Sequence, residues 1–289
     1  MRIVSLGEVL WDVFPDETRF GGAPANFACH AAAHGAASTM ISRVGTDVLG
    51  DQALAELQSH KVDVSHVQRD GSLPTGVVTV VLDHQGVPGY NIIENVAWDE
   101  LEPTNAMETL AGQVNAVYFG TLGQRCECSR QTILQFLCMV PSSTLRVYDV
   151  NLRAPYLDEQ IVRVSLQSAN IVKLSDEELD FVTKITGIQG DVMTRLEALR
   201  ERYQLKLIAL TRGADGAILM TGNETSVLEG IPTEVKDTVG AGDSFTATMV
   251  TGFLRGEPLH AINEKASRVA AYVCSKMGAI PSLPAGLAW

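Results

Sequence analysis

The run DTVGAGDSF at residues 237–245 carries the strongest chemical signal in the sequence. Gly240, Ala241 and Gly242 lack bulk, so the backbone N–H groups of this turn can approach a ligand. The helical pattern that follows would place unpaired N–H groups and the positive dipole end here, and both bind anions. Asp243 would repel a phosphate unless it has a task such as accepting a proton from an attacking hydroxyl. The alternative is a Gly-rich turn in which Asp243 only favours the helix dipole.

A second polar group lies near the amino terminus. Asp12 follows the first apolar segment, and the run GGAPAN at residues 21–26 opens a helical pattern. Asp12, the Gly22 backbone and the Asn26 amide could together bind a small polyhydroxylated ligand, since they offer both acceptors and donors. A turn aspartate and a helix cap are the alternative. Neither G-x-x-x-x-G-K-[ST] nor G-x-G-x-x-G occurs in the sequence, so the standard phosphate loops are absent.

Strand-like apolar segments alternate with helix-like segments along most of the chain. This alternation is typical of βαβ units that form a mostly parallel sheet covered on both faces. Ligands of such open sheets lie beyond the carboxyl ends of the strands. The predicted strands are residues 2–6, 38–44, 116–119, 146–150, 171–174, 207–210 and 216–220, and the predicted helices are 24–34, 49–60, 130–140, 159–167, 176–186 and 191–203, with one more from 245 to the Gly256–Pro258 stop.

One section differs from this alternation. Residues 75–82 and 89–96 alternate apolar with polar side chains and are separated by the turn-rich residues 84–88, which predicts an antiparallel hairpin. Together with residues 11–20 the hairpin could form a small β lid over the strand ends. The alternative is that the hairpin is a peripheral addition to the fold and does not act as a lid.

The composition excludes several classes of protein. A net charge of −12 over 289 residues argues against nucleic-acid binding. No run approaches the 18 apolar residues of a membrane span, and the apolar start carries Glu8 and Asp12, which fits a first strand rather than a signal peptide. The five scattered cysteines indicate free thiols in a reducing compartment rather than zinc or disulfides, so a cytoplasmic protein is expected.

The two motifs together resemble the ribokinase-like (PfkB) carbohydrate kinase family, and within it the fructokinase branch. The amino-terminal pattern is formed by Gly21, Gly22, Pro24, Asn26, Ala28, Gly35 and Gly45, and the carboxyl-terminal one by Asp237, Thr238, Gly240, Ala241, Gly242 and Asp243. Supporting segments lie at residues 7–12, 149–153, 173–178 and 211–216. The resemblance implies an α/β fold, a ribokinase-like three-layer α/β/α sandwich with a mostly parallel central sheet. It also implies a single domain over residues 1–289, with lid strands from about 11–20 and 75–96.

The resemblance also assigns roles on the sugar side. It implies that Asp243 is the base for a primary hydroxyl of the sugar, and that the N–H groups of residues 240–243 bind the γ-phosphoryl group. Asp12, Gly22 and Asn26 match the sugar-binding positions of the family. Arg153 could contact a sugar hydroxyl or the lid, and an ordinary surface cation is the alternative. Tyr90 is a weaker candidate for stacking on the sugar.

Further positions match the nucleotide and cation sites of the family. Thr211, Gly213 and Gly216 match the nucleotide loop, and Glu178 the acidic group that organises Mg²⁺ through water. Lys173 could reach a phosphate, and a solvated lysine is the alternative. The resemblance further implies a monovalent cation, K⁺, bound largely through carbonyl groups at Asp237, Val239, Val273 and Gly278, with Ser282 nearby.

Two residues depart from the family pattern. Ser175 stands where Asn is expected, three residues before Glu178, and Thr248 replaces a usual Gly or Ala inside the helix after the turn.

The activity implied is ATP-dependent phosphorylation of a primary hydroxyl of a ketose, fructose first, with Mg²⁺. The alternatives are another sugar, a sugar acid or a nucleoside as substrate, or a catalytically idle sugar-binding regulator. The expected partner is a small-molecule sugar, without nucleic acid or membrane, and a homodimer is possible.

Overall fold

The computed structural model describes residues 1–14, 16–82 and 88–289, with the backbone alone for 80–82 and 88–90. The strands are β1 Arg2–Leu6, β2 Leu10–Val13, β3 Thr18–Gly21, β4 Ala37–Gly45, β5 Asp63–Asp70, β6 Gly76–Leu82, β7 Pro88–Ile92, β8 Ala116–Gly120, β9 Leu145–Asp149, β10 Ile171–Ser175, β11 Leu207–Thr211, β12 Ala217–Met220 and β13 Thr225–Leu228. The helices are α1 Ala23–Ala33, α2 Val48–Ser59, α3 Asn105–Ala111, α4 Glu127–Met139, α5 Glu159–Ser168, α6 Asp176–Thr186, α7 Val192–Arg202, α8 Ala241–Arg255 and α9 Leu259–Cys274.

The larger sheet has the order β13-β12-β11-β10-β9-β8-β1-β4-β5. Neighbouring strands from β11 to β5 are parallel, and β12 and β13 extend the edge in antiparallel pairs. Its central strands are short apolar runs buried on both faces, as a sheet covered by helices requires. The predicted mostly parallel α/β/α fold is therefore confirmed.

Helices cover the two faces of this sheet with separate apolar cores. On one face, Phe27 of α1, Phe245 of α8 and Ile262 of α9 share a core with the buried side of the strands. On the other face, side chains such as Phe136 of α4 and Val182 of α6 form the larger core. Because α1 and α8 pack on the same face, the two sequence motifs at their starts lie at the same edge of the sheet.

The smaller sheet has the order β3-β2-β6-β7, and is called the small sheet below. β2 pairs antiparallel with β3 and parallel with β6, and β6 pairs antiparallel with β7. The predicted hairpin is thus present as β6 and β7, and residues 11–20 contribute most of β2 and β3. The predicted turn at 84–88 lies largely outside the described residues.

Some elements were not predicted. Helix α9 has apolar residues at helical spacing, including Leu259, Ile262 and Ala266, but charged residues interrupt them. β5 is a half-exposed edge strand with a polar sequence, so its apolar pattern is weak. The strand predicted from residue 216 begins at Ala217, because Gly216 has a φ of 89°. None of the helices in the described ranges is long and apolar enough to cross a membrane.

Candidate active site

The turn before α8 has the geometry of an anion site. Gly240 is the N-cap of α8 with a left-handed φ of 77°, and a Cβ there would lie 2.5 Å from the carbonyl oxygen of Ala279. Glycine is therefore required at this position. The N–H group of Ala241 donates to the carbonyl of Thr238 at 3.3 Å. The N–H groups of Gly242 and Asp243 lie in the first helical turn, where no intrahelical partner exists, and are the better anion donors.

Asp243 and Asn26 meet at this edge of the sheet. The Asn26 Nδ2 donates to Asp243 Oδ2 at 2.8 Å, although 217 positions separate the two residues. Burial, and then the charge of Asp149, raise the pKa of the half-buried Asp243 to about 6, against the opposing effects of Asn26, Lys173 and Arg153. A carboxylate with this pKa is ionised at neutral pH and can still accept a proton, as a general base must.

Lys173 is a buried cation beside the turn. Its Nζ lies 3.1 Å from Asp149 Oδ1, and a Cβ added to Gly242 would lie 3.1 Å from the same nitrogen. Burial acts to lower the pKa of Lys173, but the charges of Asp149, Glu178 and Asp243 outweigh it, so the pKa is raised. Lys173 is thus a charged side chain next to the anion turn and not a solvated surface lysine.

Glu178 takes part in capping the amino-terminal end of α6. Its Oε2 accepts from the Ser175 N–H at 2.7 Å and its Oε1 accepts from the Leu152 N–H at 2.9 Å. Ser175 is the N-cap and its Oγ accepts from the Glu178 N–H at 3.4 Å, which completes a capping box. Serine therefore performs the capping that asparagine could also perform, and this explains the first departure from the family pattern.

The donor groups of this region are suited to Mg²⁺ held through water molecules. Within the described residues there is no cluster of three or more His, Cys, Asp or Glu side chains that could hold a metal ion. Mg²⁺ usually keeps several waters and binds through one or two carboxylates together with substrate phosphates. The carboxylate oxygens of Glu178 each retain a free lone pair, so Glu178 fits a water-mediated role.

A pocket of about 650 Å³ adjoins the anion turn. The predicted nucleotide residues Thr211, Gly213 and Gly216 line it together with Ala241 and Gly242. Its remaining walls are mostly small and apolar: Ala214, Ala217, Gly230, Ile231, Pro232, Thr233, Val235, Thr238, Phe245, Ser267, Ala270, Ala271 and Cys274. Sequence reasoning missed the wall residues of 230–235 and of α9, because no motif marks them. The predicted nucleotide loop and the anion turn therefore share one cavity.

The sugar-side candidates lie between α1 and the small sheet. Asp12 is on β2, and burial raises its pKa to about 6, although Arg153 and Arg19 oppose the shift. Gly22 is the N-cap of α1 with a φ of 104°, and a Cβ there would lie 2.6 Å from the Glu8 carbonyl oxygen. Arg153 is exposed, and its charge acts on Asp12, Glu8 and Asp243. Its Nη1 donates to the Leu152 carbonyl at 2.9 Å, and its positive charge lies near enough to lower the pKa of the cleft carboxyl groups.

Glu8 is a cleft carboxyl to which sequence reasoning gave no role. Its side chain is 2% exposed, and burial, then the charge of Asp243, raise its pKa to about 7. Among the described residues, Oε2 of Glu8 and Oδ1 of Asn26 are buried without a hydrogen-bond partner. The signal that could have found Glu8 is an acidic residue inside the apolar start of the chain.

Hydrogen bonds of Asp237 connect several of the predicted monovalent cation positions. Asp237 Oδ1 accepts from the Val239 N–H at 3.0 Å, and Oδ2 accepts from the Gly278 N–H at 3.1 Å. Val273 is buried in the last turn of α9, and the carbonyl of Ser282 accepts from the Tyr272 hydroxyl at 3.1 Å.

A residue that was not predicted reaches the same carboxylate. The Arg19 Nη1 donates to Asp237 Oδ2 at 2.9 Å. The negative charge of Asp237, the acidic member of the predicted set, is therefore compensated by a side chain of the protein.

Thr248 and Tyr90 are the remaining positions that the sequence singles out. Thr248 is fully buried in α8, and its Oγ1 lies 2.8 Å from His34 Nε2, so it has a polar partner that glycine or alanine would lack. Tyr90 falls among the side chains outside the described part of the chain.

Comparison with known proteins identifies the family. The model of the pfkB family carbohydrate kinases matches residues 4–286. This chain belongs to that family. As a pfkB family member it is a sugar kinase, that is, a phosphotransferase. The match spans both the small sheet and the anion turn.

Individual pfkB relatives cover nearly the whole chain. A putative sugar kinase of Pyrococcus horikoshii is 30% identical, covering 96% of this chain and 91% of its own length. A crystal structure of that P. horikoshii protein in complex with ATP gives a TM-score of 0.83 at 28% identity, covering 98% of this chain and 95% of the other. A fructokinase of Salmonella typhimurium is 30% identical, covering 98% and 96%.

A solved fructokinase shares the ribokinase-like arrangement. The Vibrio cholerae O395 enzyme, in its fructose, ADP and calcium ion bound form, gives a TM-score of 0.82 at 24% identity and covers 98% of this chain and 96% of the other. At this level of identity the likeness concerns the fold.

Proposed function

We propose that the protein is an ATP-dependent kinase that transfers the γ-phosphoryl group to a primary hydroxyl of a sugar, and that the sugar is fructose. Family membership supports the reaction class. The Salmonella typhimurium relative supports the choice of fructose, and the ATP complex of the Pyrococcus horikoshii protein supports the choice of nucleotide.

The observation that carries the proposal is the position of Asp243. Its carboxylate lies at the start of α8, held by Asn26 at 2.8 Å, next to the cavity that contains the predicted nucleotide loop. Asp243 would take the proton of the attacking hydroxyl, since its pKa of about 6 leaves it ionised at neutral pH. The N–H groups of Gly242 and Asp243 would neutralise the charge that develops on the transferred group.

The surrounding charged residues would bind the phosphate, the sugar and Mg²⁺. Lys173, charged and next to Gly242, would bind a phosphate oxygen. Asp12 and Asn26 would orient the sugar hydroxyls, and Arg153 would cover the cleft. Mg²⁺, when bound, supplies charge neutralisation on the phosphates. Glu178 would hold it through water. Closure of the small sheet over the sugar would exclude water and limit ATP hydrolysis.

The test is a coupled assay of ADP release over ketoses, aldoses, sugar acids and nucleosides, with ATP and Mg²⁺. We expect turnover with fructose to exceed that with every other class, and ³¹P NMR of the product to locate the phosphate on a primary carbon. Faster turnover with a sugar acid or a nucleoside would replace fructose as the substrate. No turnover with any of them would contradict the kinase and favour a sugar-binding regulator.

A further inference from the structure

The carboxylate of Asp237 holds together the segments around the anion turn. Its two oxygens accept N–H bonds from Val239 and from Gly278, so it links the turn to the segment after α9. Its side chain is 10% exposed. A negative charge this close to a phosphate site needs a positive partner, since otherwise it would repel the ligand.

Arg19 provides that partner from the small sheet. Its Nη1 lies 2.9 Å from Asp237 Oδ2, across 218 positions of sequence, and its side chain is 23% exposed. The guanidinium also bonds Glu17 and lies 4.8 Å from the ring centre of Phe14. On β3, Arg19 is directly opposite Asp12 of β2. The guanidinium of Arg19 is therefore held in place by contacts with the connection between β2 and β3.

A free K⁺ ion at the same carboxylate would meet a charge of its own sign. Guanidinium is permanently charged and donates in a fixed planar geometry, so it holds a carboxylate without needing a bound ion. The oxygen to which Arg19 donates belongs to the only acidic side chain in the predicted cation set, which otherwise consists of apolar residues, a glycine and Ser282.

We propose that Arg19 supplies the positive charge beside the anion turn, in place of a monovalent cation, and that this kinase therefore works without K⁺. The inference rests on the proposed function as far as activity is concerned. It makes Arg19 a positioning residue: it acts on the phosphate site through Asp237 and ties the small sheet to the turn.

The first test measures turnover in about 0.1 M KCl and in about 0.1 M choline chloride, which screen charges equally. We expect the wild type to differ by less than about twofold between the two salts, and Arg19→Gln to lose about tenfold in choline and to recover most of this in KCl. Arg19→Lys keeps the charge and should stay insensitive to K⁺. Arg69→Gln removes a surface arginine that pairs with Asp51 at 2.6 Å, and should behave as the wild type.

The second test needs no substrate. The melting temperature of Arg19→Gln should rise by about 2 °C or more when KCl replaces choline chloride, because an ion that binds only the folded state stabilises it. The wild type and Arg69→Gln should not change. If no sugar is phosphorylated by any variant, the proposed function fails, and the melting temperatures still decide whether Arg19 replaces the cation.

Several results would overturn the proposal. One is a wild type that K⁺ activates about tenfold or stabilises as much as the variant. Another is an Arg19→Gln protein that loses no activity in choline, or whose loss K⁺ does not restore. The wild-type measurement requires no substitution, so the proposal can be refuted even if Arg19→Gln does not fold.

Discussion

At the scale of single residues, two opposing effects act on the pKa of Asp243. The start of a helix stabilises a negative charge, whereas burial and the neighbouring Asp149 raise the pKa of Asp243 to about 6. The Asn26 amide, 2.8 Å away, fixes the orientation of the carboxylate. The proposed role as the base requires these properties: the carboxylate is ionised at neutral pH and is more basic than an ordinary aspartate.

Asp243→Asn should lower kcat by about two to four orders of magnitude, because the amide cannot accept the proton. The amide has nearly the same shape, so the dissociation constant for the sugar, measured by calorimetry, should change little. Glu108→Gln alters an exposed carboxyl on α3 and serves as the matched control. Near-normal turnover of the Asp243 variant would remove this residue from the reaction.

The pH dependence of kcat/KM follows from the same carboxyl. Asp243 must be ionised to act as the base, and its pKa in the folded protein is about 6. Activity should therefore be constant above that pH and fall as the pH decreases through it, by about tenfold per pH unit or more, because Asp12, also with a pKa of about 6, loses its charge in the same range. A profile with its acidic midpoint near the ordinary aspartate value of 3.8 would contradict the assignment.

The residues that sequence reasoning missed share a physical reason. Asp149 and Glu8 lie inside the supporting segments 149–153 and 7–12, but their importance arises from charges on other elements: Asp149 contacts Lys173, and the charge of Asp243 raises the pKa of Glu8. Arg19 lies in no motif, and its role depends on a contact with Asp237 that forms only on folding. Residue type and local spacing cannot reveal contacts of this range.

At the scale of elements, α1 and α8 must keep a fixed relation, since α1 carries Asn26 and α8 carries Asp243. A buried hydrogen-bond chain joins the two helices. His34 Nδ1 accepts from the Trp289 N–H at 3.2 Å, so we assign the ring proton to Nε2, which donates to Thr248 Oγ1 at 2.8 Å. Thr248 donates onward to the Ser244 carbonyl at 2.7 Å. Burial lowers the pKa of His34 to about 3, which keeps the ring neutral.

Thr248→Ala should lower the free energy of unfolding by about 1–3 kcal/mol, because it leaves the buried Nε2–H of His34 without an acceptor. Thr251→Ala is the matched control: it is also buried in α8, but its hydroxyl bonds only carbonyls of its own helix, Ala247 at 2.8 Å and Thr248 at 3.0 Å. Urea unfolding of both variants measures the difference. Equal losses would mean that the hydrogen bond between His34 and Thr248 makes no specific contribution to the free energy of unfolding.

At the scale of the whole molecule, the sequence predicted the architecture better than the cavity. The alternation of apolar segments correctly indicated a mostly parallel sheet, and the glycines of both motifs marked the starts of α1 and α8. About half of the residues that line the 650 Å³ cavity come from the segment after β13 and from α9, which were not predicted. Their small apolar residues have no distinctive spacing, so only the folded chain identifies them.

In the proposed function, the nucleotide and the sugar bind to different parts of the molecule. The cavity beside the anion turn is lined by residues outside the small sheet, whereas Asp12 lies on β2 within it. The nucleotide and the sugar should therefore respond separately to substitutions in the small sheet.

Asp12→Asn should raise the KM for the sugar by about tenfold or more, since it removes a charged acceptor of hydroxyl hydrogen bonds, and should leave the KM for ATP within about twofold. The comparison is made near pH 8, above the Asp12 pKa of about 6, so that the wild-type carboxylate is ionised. Thr18→Ala, an exposed position on the neighbouring β3, controls for general damage to the small sheet. If both KM values rise together, the small sheet acts on the whole site and this division of labour is wrong. If neither rises, Asp12 does not bind the sugar.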